Sequence, residues 1–253
     1  MPETDHECSL PEDTKCAYRT RVEQLEEDLE QFAYLASHDL REPLTGLAGF
    51  ATLLQSRCAD QLTDDCRHFL NQIIEGTKRM EEKLEDLLAF SRAGRAKPTG
   101  SFPLGQAIEE ARRALVRSIA ETKATIDIKG ELPVVEGDRS MIAQVFQNLF
   151  SNSLKYRRKD KPPLIQVEAE PHDDDSWRVA VRDNGIGFDM RYKERVFGVF
   201  QRLYTIEEYP GTGIGLAIAR KVIDRHGGNI WTWSEPDQGA TFYFTLPPAT
   251  ARS

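Results

Sequence analysis

The apolar positions of this chain follow two rhythms. From Tyr18 onward, Val22, Leu25, Leu29, Phe32 and Ala36 step by three and four residues with charged residues between them, the spacing of a helical seam. The same step continues without a breaker through Leu35, Leu40, Leu44, Leu47 and Leu54, predicting one long helix. Pro43 lies within it and, lacking an N–H, is expected to kink or loosen it. A polar turn over 56–65 leads to a second amphipathic stretch carrying Phe69, Leu70, Ile73, Ile74, Met80, Leu84, Leu87, Leu88 and Phe90, with an end near Gly94. Two such helices leave apolar faces that a single hairpin cannot bury. Pairing of two copies into a four-helix bundle is the economical solution.

After a stretch rich in Gly, Pro and basic residues (94–101), the rhythm alternates between helix and strand. Leu104, Ala107, Ile108, Ala111, Leu115 and Ile119 share a helical face over 103–123, and 125–129 alternates as a strand. Asp138 is placed to cap a helix through Ile142, Val145, Phe146, Leu149 and Leu154. Strands are expected over 164–170 and 177–182, then a short helix with Val196, Phe197 and Phe200. A loop over 204–213, another helix, and a strand pair over 229–234 and 240–246 complete the chain. The expected organisation is therefore a flexible leader (1–17), a coiled coil and helical hairpin (18–93), a linker (94–101), an α/β domain (102–248) and a tail (249–253).

Composition narrows the function. A chain of 253 residues suits about two domains. A net charge of −8 argues against a non-specific nucleic-acid binder. No apolar run reaches the length of a membrane span, and no export leader is visible. Cys8, Cys16, Cys58 and Cys66 have neither Cys-x-x-Cys spacing nor a zinc-type histidine partner, so they read as reduced thiols of a cytoplasmic protein.

Against this acidic background some residues point to a phosphate ligand. Asn148 and Asn152 share a helical face, and amide oxygens suit Mg²⁺. Lys155, Tyr156, Arg157 and Arg158 follow as a local reversal of charge, which favours a polyphosphate nearby, although a solvated helix end would look similar. Asp183 precedes Gly185 and Gly187, where backbone can approach a flat ligand and the carboxylate can accept from an exocyclic amine. Gly211, Gly213 and Gly215, with Leu216, open a helix whose free N–H groups suit phosphate. No strand immediately precedes them, which argues against a dinucleotide fold. His38 lies between two apolar positions of the first helix, with charges close behind.

Taken together, these blocks resemble a sensor histidine kinase of two-component signalling, from about Tyr18 to Pro247. Residues 37–44 (Ser-His-Asp-Leu-Arg-Glu-Pro-Leu) look like its phosphoacceptor box, 148–156 its asparagine box, and 183–187 and 211–216 its two glycine boxes. Phe197 and Phe200 look like the phenylalanine box between them. The wording of 196–203 and 208–211 is similar to kinases attached to phytochrome-type sensors.

The resemblance implies a dimeric helical hairpin followed by a Bergerat-type α/β sandwich, with ATP and Mg²⁺ as cofactors. It implies Asn152 on Mg²⁺ with Asn148 supporting it, Lys155 at phosphate, Tyr156 against the nucleotide and Asp183 on the adenine amine. Gly185 and Gly187 belong to this first glycine box, Thr241 would act through water, and Arg202, Gly211, Gly213, Gly215 and Leu216 would lie towards the phosphates. The implied reaction moves the γ-phosphoryl group to a nitrogen of His38 and then to an aspartate of a response-regulator receiver domain, under an upstream sensor.

Asp39 is the implied base. Neighbours in a helix point about 100° apart, however, whereas Glu42 shares a face with His38. Many relatives carry Thr or Asn at position 42 to orient water on the phosphorylated regulator, so a glutamate there predicts weak phosphatase activity. Gly198-Val199 also departs from the Glu-Pro common in the family. Two rival readings are a dimeric scaffold or phosphotransfer protein with a dead nucleotide site, and another ATPase of the same nucleotide fold. The first is opposed by intact asparagine and glycine boxes, the second by the histidine hairpin ahead of the ATP domain.

Overall fold

The structure is a computed structural model that describes residues 12–94, 100–172, 176–205, 208–209 and 211–249. The expected hairpin is present: α1 spans Glu12–Arg57 and α2 Asp64–Ala93. Helix α1 begins ahead of the expected start at Tyr18, so residues 12–17 are helical rather than leader, and it runs through Pro43 without a break. Residues 1–11 of the predicted leader lie outside the described residues, as do the side chains of the seam from Val22 to Phe32 and that of His38. Thr63 caps α2, its hydroxyl accepting from the Cys66 N–H, with Asp64 and Asp65 in the first turn beside the positive end of the helix dipole.

Two cross-helix hydrogen bonds fix the register of the hairpin. The Thr45 hydroxyl donates to Glu81 (3.2 Å) and the Gln55 amide donates to Asn71 (2.7 Å). Counting seven residues back from Thr45 and seven onward from Glu81 sets position 38 level with Leu88.

The second unit is an α/β sandwich. Strands β2 (Thr125–Lys129), β4 (Leu164–His172), β5 (Ser176–Asp183), β7 (Gly239–Leu246) and β6 (Ile230–Glu235) form one sheet in the order β2-β4-β5-β7-β6. Only the β2–β4 pair is parallel. Helices α3 (Leu104–Ala114), α5 (Arg139–Lys155) and α6 (Gly215–Arg225) contribute to a core with Ile165, Val167, Val179, Val181, Phe242, Phe244 and Leu246 of the sheet. Phe146 of α5 meets Phe244 edge-on at 5.6 Å between centroids. The other face carries Trp231 stacked on Tyr243, with Trp233 exposed beside them.

In this unit three expectations change. The helix expected over 103–123 is split at Leu115 into α3 and α4 (Val116–Thr122), which ends on Lys123 in the left-handed region. Strand β1 (Gly100–Pro103) pairs antiparallel with β3 (Val134–Gly137), so the linker is shorter than 94–101. Around Phe197 there are only short 3₁₀ turns, and Phe200 is exposed with φ +59° rather than helical. Last, α6 is tied to the start of α5 through His226, which is buried: its Nε2 accepts from the Asp138 N–H (2.9 Å), so Nδ1 carries the proton and donates to Val222 O (2.7 Å).

Candidate active site

Helix α5 supplies one wall of the site because its two flanks differ. Asp138 caps it, accepting from the N–H groups of Ser140 (2.9 Å) and Met141 (3.1 Å). Ile142, Val145, Phe146, Leu149 and Phe150 then bury towards the sheet, and Asn148, Asn152 and Lys155 line a cavity of about 400 Å³, the size of a small-molecule site. The Asn148 Nδ2 is buried with no hydrogen-bond partner among the described residues. An orphaned buried donor of this kind is satisfied by a ligand that accepts. Lys155 Nζ sits 4.6 Å from the Tyr156 ring centroid. It also passes so close to Gly211 that a Cβ there would stand 2.7 Å from the ammonium. Burial, helped by the charge of Arg202, lowers its pKa to about 8.

At the far end β5 delivers Asp183. Its Oδ1 accepts from the N–H groups of Gly185 (2.9 Å) and Ala240 (3.2 Å), and Oδ2 accepts from the Ser153 hydroxyl (3.1 Å). Burial pushes this carboxyl up, and the three donors oppose the shift. The backbone around it is packed too tightly for side chains. A Cβ on Gly187 (φ +61°) would lie 2.1 Å from Glu235 O, and one on Gly239 (φ +87°) 2.1 Å from Asp183 O. Gly185 does not line the cavity; it lies beneath it, where a Cβ would stand 2.6 Å from Tyr156 O.

The remaining wall comes from the loop before α6. Tyr156, Tyr204 and Tyr209 cluster with centroids 5.0–5.8 Å apart, and the Tyr204 hydroxyl donates to Gly187 O (3.1 Å). Burial raises the Tyr156 phenol. Arg202 donates to Thr205 O (2.9 Å) and Tyr209 O (2.6 Å), while its Nε is buried without a partner among the described residues. Helix α6 starts at Gly215 with no side-chain cap, so Gly213, Gly215 and Leu216 line the cavity beside its positive dipole end.

Eleven of the residues singled out in the sequence therefore line one cavity: Asn148, Asn152, Lys155, Tyr156, Asp183, Gly187, Arg202, Gly211, Gly213, Gly215 and Leu216. Thr241 is not brought to it. In β7 it pairs with Arg182 and Trp233, whose side chains are exposed on the open face of the sheet, and strand alternation turns Ala240 and Phe242 to the cavity instead. Asp39 and Glu42 are exposed on α1, away from the cavity lining.

Other contributors escaped the sequence reading. Ser153 could have been suspected as a polar residue on the apolar side of α5. Glu82, Glu85 and Asp86 of α2 also line the cavity, and the Thr212 hydroxyl donates to Asp86. Nothing local in the sequence signals that contact across 126 positions.

Comparisons with known proteins agree with this geometry. Residues 28–96 match the model of the His Kinase A (phospho-acceptor) domain, and residues 137–250 that of the histidine kinase-, DNA gyrase B- and HSP90-like ATPases. The chain is 39% identical over 227 residues to phytochrome-like protein Cph1 of Synechocystis, covering 89% of this chain and 30% of that protein. It is 42% identical to cyanobacterial phytochrome A of Nostoc, covering 89% and 29%. It thus spans about a third of the length of these curated relatives. Among solved structures it is similar to full-length ShkA in complex with AMPPNP (26% identity, TM-score 0.64), covering 88% of this chain and 47% of that one. It is also similar to histidine kinase ThkA in complex with the response regulator TrrA (26%, TM-score 0.59), covering 96% and 68%. With the phosphoacceptor hairpin and the ATPase sandwich both matched in order, the chain belongs to the sensor histidine kinases, and over this length it is similar to phytochrome-like ones.

Proposed function

We propose that this chain is an ATP-dependent histidine autokinase that phosphorylates His38 and passes the group to an aspartate of a response regulator. The observation that carries the reading is the single cavity joining Asp183, the Asn148–Asn152–Lys155 row and the uncapped start of α6. One end offers an acceptor for an exocyclic amine, the other donors for phosphate. The α2 wall of this cavity lies at the height of His38 along the hairpin. In the proposed step a P–N bond forms at His38 as the bond from the γ-phosphorus to its bridging oxygen breaks and ADP leaves. Asp39 takes or orients the imidazole proton. The residues contribute positioning and charge neutralisation.

The residues also fit Mg²⁺. Asn152 would hold it with Asn148 in support, since amide oxygens are suited to its octahedral shell. The Asn148 Nδ2, buried with no partner among the described residues, calls for an acceptor such as a phosphate oxygen, so the ion would be met by amide oxygen and phosphate together. When bound, the ion would neutralise triphosphate charge.

Exposed apolar side chains on the hairpin, among them Leu35, Leu47, Phe50, Leu54, Phe69 and Ile73, support a homodimer closed as a four-helix bundle. A receiver domain as partner is supported by the ThkA complex, and the length of the relatives beyond this chain leaves room for the sensor that we place upstream. Among the described residues no helix is long and apolar enough to cross a membrane. We place the activity in the cytoplasm. Exposed Glu42 would repel an incoming phosphoaspartate, so phosphatase activity is weak in this reading. Rapid, Glu42-dependent dephosphorylation of the regulator contradicts it.

Incubation with γ-labelled ATP and Mg²⁺ tests the main reading. Acid-labile, base-stable label should appear and vanish in His38→Gln. Binding without label indicates a scaffold, and continuous phosphate release without label an ATPase of another type. If Asp39→Asn labels at the wild-type rate while Glu42→Gln does not, the base is Glu42.

A further inference from the structure

The wall that α2 gives to the cavity has the wrong sign for a nucleotide. Glu82, Glu85 and Asp86 all line it, where a triphosphate would bring several more negative charges. Affinity for ATP therefore does not explain these residues. Asp86 has a different partner: it accepts a hydrogen bond from the hydroxyl of Thr212, between two glycines of the loop that opens α6. Burial pushes the Asp86 carboxyl up, the Thr212 bond opposes this, and Glu85 adds to the shift. The contact is part of a larger seat. Lys221 of α6 lies 4.6 Å from the Phe90 ring centroid, and Ala93 of α2 is buried in the core of the sandwich. Leu88, level with position 38, lies only two residues beyond Asp86, an axial offset of about 3 Å.

We infer that Asp86 is a positioning residue for histidine phosphorylation: through Thr212 it fastens the phosphate-binding loop to α2 at the height of His38. The inference rests on the cavity being the ATP site. In this role Asp86 acts through Thr212 rather than on a reacting atom, and sets where the donor loop stands. Its negative charge is a cost to nucleotide binding, so its removal lowers turnover without weakening the substrate complex.

Initial rates of His38 labelling against ATP concentration, measured on the whole chain, test this. Asp86→Ala should lower kcat about tenfold, the loss of one hydrogen bond between α2 and the loop, with KM for ATP unchanged or lower. Asp86→Asn keeps an acceptor for Thr212 and should recover most of the rate. A rise in KM at constant kcat makes Asp86 a nucleotide or metal ligand and overturns the inference. So does an Asn variant as slow as Ala, because charge would then matter rather than the bond. A kcat for Asp86→Ala at or above wild type also overturns it. Thr212→Val removes the bond from the other side. The double variant should be no slower than Asp86→Ala, and full additivity refutes the contact. If wild-type protein fails to bind ATP, the ATP reading fails instead; normal wild-type labelling with an unmoved Asp86→Ala variant defeats only this inference.

Discussion

Binding of ATP should draw a proton from solution, and the amount follows from Lys155. Burial beside Tyr156 and the charge of Arg202 lower this lysine from 10.5 to about 8. An anionic phosphate beside the ammonium favours its charged form and returns the pKa towards or above the ordinary value. At pH 8 the empty site holds about half a proton on Lys155 and the filled site nearly one, giving an uptake of about half a proton per ATP. The same arithmetic gives about a tenth at pH 7 and about nine-tenths at pH 9. Calorimetric titration with ATP in three buffers of different ionisation enthalpy measures this directly, since the slope of apparent enthalpy against ionisation enthalpy is the number of protons taken up. Lys155→Gln should bind more weakly and lose the slope at pH 8. A wild-type slope of zero there, or a slope that survives in Lys155→Gln, refutes the reasoning. The lowered pKa also has a stability consequence. Between about 8 and 10.5 the unfolded chain binds more protons at this site than the native one, so the ligand-free fold gains stability as pH rises through that window. With phosphate bound the gain should disappear.

Asp183→Asn keeps an acceptor for the Gly185 and Ala240 N–H groups, and the Ser153 hydroxyl can donate to Leu149 O (3.1 Å) instead. Stability should fall by only about 1 kcal/mol while the Kd for ATP rises tenfold or more; a melting temperature that collapses with affinity refutes the split. Gly239→Ala combines a left-handed backbone with a contact of 2.1 Å to Asp183 O. It should cost about 2–5 kcal/mol in urea unfolding, and a loss below 1 kcal/mol shows that the turn relaxes. His226→Ala leaves the Asp138 N–H without its partner and opens a small cavity beside Gly137. The expected loss in guanidinium unfolding is about 2–4 kcal/mol, with little change in ATP affinity while the chain remains folded.

Long elements with one apolar face were readable from the chain, because α2 and α5 sustain their periodicity over many turns. The split at Leu115 was not. Leu115 and Ile119 extend the same apolar spacing across it, and Val116, which interrupts the pattern, is simply exposed. Strands β1 and β3 have four residues each, too few for alternation to stand out, and they pair across intervening elements. In the site, Asn148, Asn152 and Lys155 were legible because helical spacing alone puts them on one flank. Thr241 stands one residue from the cavity-lining Ala240 and Phe242, and in a strand one residue reverses the face. The α2 carboxylates were invisible because their role arises only when the hairpin meets the sandwich, a contact no local pattern encodes.

The crowded backbone around Asp183 bears on how an inhibitor of this protein would age. At Gly187 and Gly239 the positions that side-chain atoms would occupy are already filled by the carbonyl oxygens of Glu235 and Asp183. Substitution there disrupts the meeting of β5, β6 and β7, so resistance by that route forfeits the enzyme. A compound confined to this end of the cavity meets a surface that cannot readily mutate away. One that leans on Tyr204 or Gln201 meets side chains of the loop before α6 instead, outside the sheet.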